Sequence, residues 1–401
     1  MPGPLHGYRI VDLTSNVSGP LATMILGDQG ADVVKVEAPD GDSTRAGAKG
    51  RGGFNAAFLN SNRNKRSIVL NLKHPDALRA LMRLAATADV FVQNYRPGVA
   101  DRLGVGEAAI RAVAPRIVYV SISGFGEVGP YAERPVYDPL IQGFTGLATV
   151  QAGSDEARPR MLRTILPDKL TAITASQAIT AALLARERTG EGQHVRLSML
   201  EAVMQFLWPS DMASQTFVGA GDRDGPARQE AASATDLIYE TADGYITAAV
   251  VTNRQWQGLA RALDQPQWLE DERFRTPASR HQNIDARLRL TQDVLIGRSS
   301  AEWLDRLTNE DVPCAPVLTR NEVIRHPHVK AMAIVEEVEH PKAGRLRQAR
   351  SAARFSGTPA EIRLPAPALG QHTDEILGEL GYTEADIAAL RTWTPDARGG
   401  R

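Results

Sequence analysis

Cysteine is almost absent from this 401-residue chain: Cys314 stands alone, which excludes an intramolecular disulfide and any metal cluster built on several thiolates. A reducing compartment suits such a chain. Set between Val312-Pro313 and Ala315-Pro316, the thiol reads as a small buried hydrophobe. An excess of charge is lacking too, with 46 Lys and Arg against 47 Asp and Glu and a formal net charge of -1. Nucleic acid is therefore not the expected partner, and any anionic ligand must be held by a local cluster. No apolar run approaches the about 18 residues of a membrane span, and no basic segment leads into an apolar one at the start. The expectation is a cytoplasmic protein with no membrane partner. Metal-ligand spacings are also missing. His194 reads as a polar residue at a strand edge, and His326-Pro327-His328 reads as a turn, so no metal is expected.

What the chain does have is an alternation of strands and helices. Residues 9–14 read as a strand, 21–27 as a helix and 31–37 as a second strand, a βαβ opening. Glu37 ends the second strand where a dinucleotide fold places its ribose-binding acid. The glycines contradict that use. Ser15-Asn16-Val17-Ser18-Gly19-Pro20 carries one Gly where G-x-G-x-x-G needs three, so NAD(P) is not expected. A long Gly-, Asp- and Arg-rich stretch at 39–64 reads as a surface loop, followed by a strand at 67–72, a helix at 75–85 and strands at 89–93 and 117–122. The pattern predicts an α/β fold. Lys65, Arg66, Lys73, Arg96 and Arg102 fall at strand ends and turns, where open α/β sheets bind ligands, and together they form a candidate anion site.

A loop punctuated by Gly and Pro then leads to Leu166-Pro167-Asp168-Lys169-Leu170. Leu170, Ile173, Ser176, Gln177, Thr180, Ala181, Leu184 and Ala185 recur at helical spacing, and Gly190 and Gly192 close the segment. Asp168 is thereby placed at or near a helix N-cap, where backbone N–H groups and the helix dipole favour its ionised form. Locally this describes an ordinary capping Asp as well as a sheltered nucleophile. At this length the chain is expected to hold two domains, given about 150 residues per domain. Residues 219–233 read as a linker, and 234–315 as a small unit with strands at 236–239 and 245–250 and helices at 255–263, 283–295 and 301–309. Residues 316–401 read as a return to the first domain (1–218), with last helices at 373–378 and 383–391.

Several ordered blocks resemble the class III CoA transferases and their racemase relatives, the family of formyl-CoA transferase, carnitine CoA-transferase and α-methylacyl-CoA racemase. They are residues 5–37 ending GADVVKVE, 64–73 NKRSIVLNLK, 94–104 NYRPGVADRLG, 123–131 SGFGEVGPY and 188–202 RTGEGQHVRLSMLEA. The resemblance implies a Rossmann-like large domain built from both chain ends, a small α+β domain and an interlocked homodimer. It implies acyl-CoA and a small carboxylic acid as substrates, with Asp168 as the covalent nucleophile and Tyr137 and Asp138 near the thioester. Coenzyme A is then expected against Val17, Ser18, Leu70, Asn71, Leu72, Lys73, Asn94, Tyr95, Arg96 and Arg102. Racemases of the family use a His where this chain has Tyr137. Tyr, with an ordinary pKa of ~10, is a poor base at neutral pH, which favours CoA transfer over α-proton exchange. A CoA-binding protein without turnover is the third reading. Three departures bear on specificity: Ala38 stands where relatives place an Arg, Val17 where formate-specific members have Gln, and 250–255 replaces their glycine-rich loop.

Overall fold

The computed structural model describes residues 3–46, 50–216, 218 and 237–392. The chain divides into two compact units, Met1–Glu230 with Ile334–Arg401, and Ala231–Ala333. Both chain ends thus build the first unit, and the second runs beyond 315 to Ala333. The linker expected at 219–233 lies outside the described residues.

In the first unit β1 (Arg9–Asp12), α1 (Ser18–Asp28), β2 (Asp32–Glu37), α2 (Ala56–Ser61), β3 (Lys65–Val69), α3 (Pro75–Ala86) and β4 (Val90–Gln93) follow in order. Next come α4 (Val99–Arg102), α5 (Glu107–Val113), β5 (Val118–Ser123), α6 (Asp138–Phe144), α7 (Leu147–Ala152), α8 (Leu166–Thr189), β6 (His194–Ser198) and α9 (Met199–Leu207). The six strands form one parallel sheet in the order β3-β2-β1-β4-β5-β6. Helices cover both faces, so alternate strand residues serve separate cores. Ile10, Val33, Val90 and Val118 pack with Ala22 and Leu26 of α1 and Ala172, Ala175 and Ile179 of α8. Val11, Val34, Phe91 and Tyr119 face the other way, onto Leu81 and Leu84 of α3 and Ile110 of α5.

In the second unit β7 (Ile238–Glu240), β8 (Tyr245–Ala248) and β9 (Cys314–Pro316) make an antiparallel sheet. Its helices are α10 (Asn253–Ala262), α11 (Pro277–Gln282), α12 (Ile284–Leu295), α13 (Ser300–Asn309), α14 (Arg320–Val323) and α15 (Pro327–Ala331). Trp256, Trp268, Phe274 and Trp303 fill its core. Cys314 is half-buried beside that core rather than within it. His326 is not in a simple turn: its ring caps α15 by accepting the His328 N–H. The first unit resumes with a hairpin, β10 (Val335–His340) and β11 (Gly344–Ala349), and ends with α16 (Thr373–Glu379) and α17 (Glu384–Thr392). Ile376, Leu377 and Ile387 of these last helices join the core over α3 and α5.

Three expectations are corrected by packing. The stretch 39–64 is not loop throughout: Asn55 caps α2, which buries Phe58 and Leu59, and Arg45 lies over the Phe58 ring at 3.8 Å. Strand β3 begins at Lys65 instead of 67, which takes Lys65 into the interior and leaves Leu70 to Lys73 beyond the strand's C-terminal end. Of the stripe expected on α8 only Ser176 is buried. Ala172, Ala175, Ile179, Ala182 and Leu183 go inward, while Ile173 and Leu184 are 58% and 52% exposed. Small side chains let α8 lie close against α1 and the sheet, which outweighs the greater area the larger ones offer.

Candidate active site

Strand order reverses between β1 and β4, neighbours whose following segments part toward opposite faces. The crevice at their C-terminal ends is where doubly wound sheets bind ligands. On the β1 side the turn 14–17 leads into α1, three residues earlier than the sequence suggested, so Ser18 opens the helix with its N–H free of intrahelical bonds. Gly19 permits this geometry: a Cβ there would stand 2.3 Å from the Thr14 side chain. Asn94, just after β4, holds the turn with both ends of its amide. Its Oδ1 accepts the Ser15 N–H at 3.0 Å and its Nδ2 donates to the Ser15 carbonyl at 2.8 Å.

Asp168 meets this turn from α8. It is the third residue of that helix, whose N-cap is Ile165, so it does not cap its own helix. Its carboxyl instead accepts hydrogen bonds from the N–H and hydroxyl of Ser18, at the positive end of α1. The role of capping α8 falls to Asp138, the first residue of α6. Asp138 is 3% exposed. Its Oδ2 accepts the Asp168 N–H at 3.2 Å, and its Oδ1 accepts from Gln142 Nε2 at 2.6 Å. Gln142 in turn accepts the Leu162 N–H at 2.9 Å and donates to the Thr164 carbonyl at 3.1 Å, which pins the loop entering α8.

Two carboxyls in such proximity repel ionisation. Burial, and after it the charge of Asp138, push the Asp168 carboxyl up to about 6, the Ser18 hydrogen bonds opposing them in part. Donors at a helix start do favour the ionised form, as the sequence suggests, but burial and Asp138 outweigh them. The stabilising dipole is that of α1, and it only moderates the rise. Tyr137, the N-cap residue of α6 beside Asp138, is 71% exposed.

Of the residues expected around coenzyme A, the structure gathers one group and scatters another. Leu70, Asn71, Leu72, Lys73 and Tyr95 line one slot of about 150 Å³, together with Leu13, Val36, Glu37, Ala38 and Leu103. Its walls are mainly aliphatic, with Glu37, Asn71 and Lys73 as the polar side chains of the lining. Arg96 and Tyr95 border a second, polar cleft of about 310 Å³ shared with Gln93, Ser121, His194 and Arg196. His194 stands at the start of edge strand β6, its Nε2 bonded to Ser121 Oγ at 2.8 Å. Arg102 ends α4 and is exposed. Val17 is the N-cap residue of α1, beside Ser18 at the Asp168 contact. Asn94 is committed to the Ser15 backbone.

The expected five-residue anion cluster does not form. Lys65 is fully buried with its Nζ 2.9 Å from Asp12 Oδ2, and Arg66 pairs with Asp32, Glu375 and Glu379 at the opposite, N-terminal ends of the strands. Lys73, Arg96 and Arg102 are left at the crevice end. Lys65, Arg66 and Arg45 are the cations that could compensate for the Arg relatives place at Ala38, and each is committed elsewhere, Arg45 to Glu37 at 2.6 Å. Glu37 is occupied by that bond and by Ser67 Oγ at 2.7 Å, which removes it as a ribose ligand. In the second unit, Gln255 of the segment replacing the glycine-rich loop forms a capping box with Thr252. Sequence reasoning missed Gln142; its signal was the i, i+4 spacing from Asp138.

Among the described residues no helix is long and apolar enough to cross a membrane, and no cluster of His, Cys, Asp and Glu has metal-holding form. The profile of CoA-transferase family III matches residues 5–373. A mouse succinyl-CoA:glutarate CoA-transferase is 34% identical over 390 residues, 96% of this chain and 89% of that protein. A formyl-CoA:oxalate CoA-transferase of Streptomyces coelicolor is 30% identical over 413 residues, covering 97% and 98% of the two chains. Among solved structures, a CAIB/BAIF family protein from Brucella suis superposes with a TM-score of 0.81 at 30% identity, covering 95% of this chain and all (100%) of that one. The doubly wound sheet, the ordered sequence blocks and these matches agree: the chain belongs to CoA-transferase family III.

Proposed function

We propose that the protein moves coenzyme A between an acyl-CoA donor and a small carboxylic acid, with Asp168 as covalent nucleophile. One observation carries this reading: a part-buried carboxyl at a sheet's ligand crevice, held by the Ser18 N–H and hydroxyl at the start of another helix. A carboxylate oxygen of Asp168 attacks the thioester carbonyl, and the C–S bond breaks to give a mixed anhydride and CoA thiolate. The thiolate attacks the aspartyl carbonyl, releasing the donor acid and leaving an aspartyl-CoA thioester. The acceptor carboxylate attacks that thioester, forming a new anhydride and freeing the thiolate again. Attack of the thiolate on the acyl carbonyl yields the new acyl-CoA and restores Asp168. No net proton is consumed. Partial burial keeps water from the anhydride, and the Ser18 donors steady the charge that returns at each cycle.

The slot formed by Leu70 to Lys73 and Tyr95 suits the adenine, with Lys73, Arg96 and Arg102 for phosphates and Val17 and Ser18 beside the acyl group. The related transferases act with oxalate and with glutarate, so small acids of that kind are the acceptors to screen. The reading carries a homodimer and a cytoplasmic location. The test is to incubate the protein with succinyl-CoA, quench with hydroxylamine and map the modified residue by mass spectrometry. A hydroxamate on Asp168 is the expected result. Transfer that proceeds with Asp168 unmodified, or intact in Asp168→Ala, overturns the mechanism. A binding protein without turnover gives neither adduct nor transfer, and a racemase exchanges an α-proton in deuterated water without an acceptor acid.

A further inference from the structure

Four charged side chains buried beneath the Asp168 contact have no part in the steps above. Lys35 and Asp42 form one pair and Lys65 and Asp12 another, each 2.9 Å from nitrogen to oxygen, and all four are at most 4% exposed. Burying two ion pairs side by side is costly in desolvation and is weak support for a fold by itself. Beyond bonds to Asn62, Thr23 and Thr44, all four reach one stretch, residues 14–20. Lys35 Nζ donates to the Thr14 carbonyl at 2.9 Å, and Asp12 Oδ1 accepts the Thr14 N–H at 2.9 Å. Lys65 Nζ donates to the Pro20 carbonyl at 2.8 Å, inside the first turn of α1. Asp42 Oδ1 accepts the Asn16 N–H at 3.4 Å, and Ser43 Oγ donates to Asn16 Oδ1 at 2.6 Å. Asn16 is held at a φ of 68°, a left-handed conformation that persists when its surroundings fix it. Ser18 stands between these anchors, and it is the residue that grips Asp168.

We propose that Lys35, Asp42, Lys65 and Asp12, together with Ser43 at Asn16, are positioning residues. By anchoring both ends of the 14–20 turn, they set the direction of the Ser18 N–H and hydroxyl and thereby aim the Asp168 carboxyl at the thioester. The four charged groups act through backbone carbonyls and amides and Ser43 through the Asn16 side chain, each by way of the turn. A purely structural role predicts that their removal weakens the whole unit alike. A positioning role predicts a loss confined to the step in which Asp168 attacks, since a displacement of about 1 Å at a reacting group costs on the order of 100-fold in rate.

The proposal rests on Asp168 being the nucleophile, and the experiment separates the two claims. The double variant Lys35→Met/Asp42→Asn removes both charges of one pair, so no buried charge is left unmatched. Ser43→Ala removes one anchor from an exposed position, where folding is not at risk. For each, the melting temperature, the affinity for free CoA and the single-turnover rate of Asp168 acylation by succinyl-CoA are measured across pH. The double variant is expected to bind CoA within about twofold of wild type while acylation slows by about 30-fold, its pH midpoint moving up as the Ser18 donors lose alignment. Ser43→Ala is expected to slow acylation by about threefold with the same CoA affinity. Acylation within about twofold of wild type in the folded double variant, or CoA affinity falling in step with rate, overturns the positioning role. If the double variant does not fold, Ser43→Ala decides, and an unchanged rate rejects the proposal. A wild-type protein that forms no adduct removes the nucleophile itself, a different failure from variants that form it as fast as wild type.

Discussion

Asp168 works against its surroundings. Burial first, and Asp138 second, raise its carboxyl to about 6 from an ordinary 3.8. The folded protein therefore holds a proton there between about pH 4 and 6 that the unfolded chain has released, and stability falls as pH rises through that window. Asp168→Asn abolishes the titration. At pH 7 the variant should be more stable than wild type by ~1–3 kcal/mol, because each pH unit by which folding raises the carboxyl corresponds to ~1.36 kcal/mol, less an allowance for partial exposure. The gain should vanish below about pH 4, where both side chains are neutral. Denaturant unfolding at pH 7 and pH 4 checks this, and an equal difference at both rejects it. In the proposed mechanism activity has the opposite sign, since there only the ionised carboxylate attacks. kcat/KM should rise with a midpoint near 6 in wild type, and Asp138→Asn should move that midpoint down. What the sequence disclosed here was an acid at the start of a helix. It could not disclose that the cap is Asp138, 30 positions earlier, or that Ser18, 150 positions away, supplies the donors, because neither pairing has a local pattern.

At the scale of elements, strands were more legible than the helix faces between them. β1, β2, β4 and β5 each hold a short Val-, Ile- or Phe-rich run, as strands covered on both sides do, broken by the buried polar residues Lys35 in β2 and Ser121 in β5. The start of β3 was obscured by Asn64-Lys65-Arg66, which reads as a polar turn until the buried partner of Lys65 is known. The start of α1 was obscured by Gly19-Pro20, residues that usually mark a turn but here stand in the helix's first turn, where Pro is tolerated. Gly19 links this element to chemistry. Gly19→Ala drives a methyl into Thr14 and shifts the first turn of α1, which should lower stability by about 1–3 kcal/mol. It should also slow Asp168 acylation by at least about tenfold, since Ser18 is the next residue back. Thermal unfolding alongside single-turnover kinetics separates the two effects; a destabilised variant with wild-type acylation would show that the turn merely packs.

Over the whole molecule, the unexpected orientation of α8 leaves apolar area unclaimed within the chain. Ile173 and Leu184 of α8 are more than half exposed, and Phe206 of α9 and Trp208 at its C-cap are 49% and 45% exposed. Leu140 and Phe144 of α6, at 49% and 50%, add to the same class of uncovered side chain. A monomer rarely leaves so many large apolar groups uncovered on adjacent helices, and a second copy of the chain is the partner that the family resemblance supplies. If the two chains are threaded through each other, separation requires unfolding, so dilution alone should release no monomer. Light scattering should give twice the chain mass from micromolar to nanomolar concentration. Ile173→Glu/Leu184→Glu places two charges on that face and should shift the population to monomer or to insoluble chain, because a buried unpaired carboxylate is strongly disfavoured. A wild-type monomer at any of these concentrations rejects the interlocked arrangement, and a soluble, fully dimeric double variant shows that this face lies outside the interface.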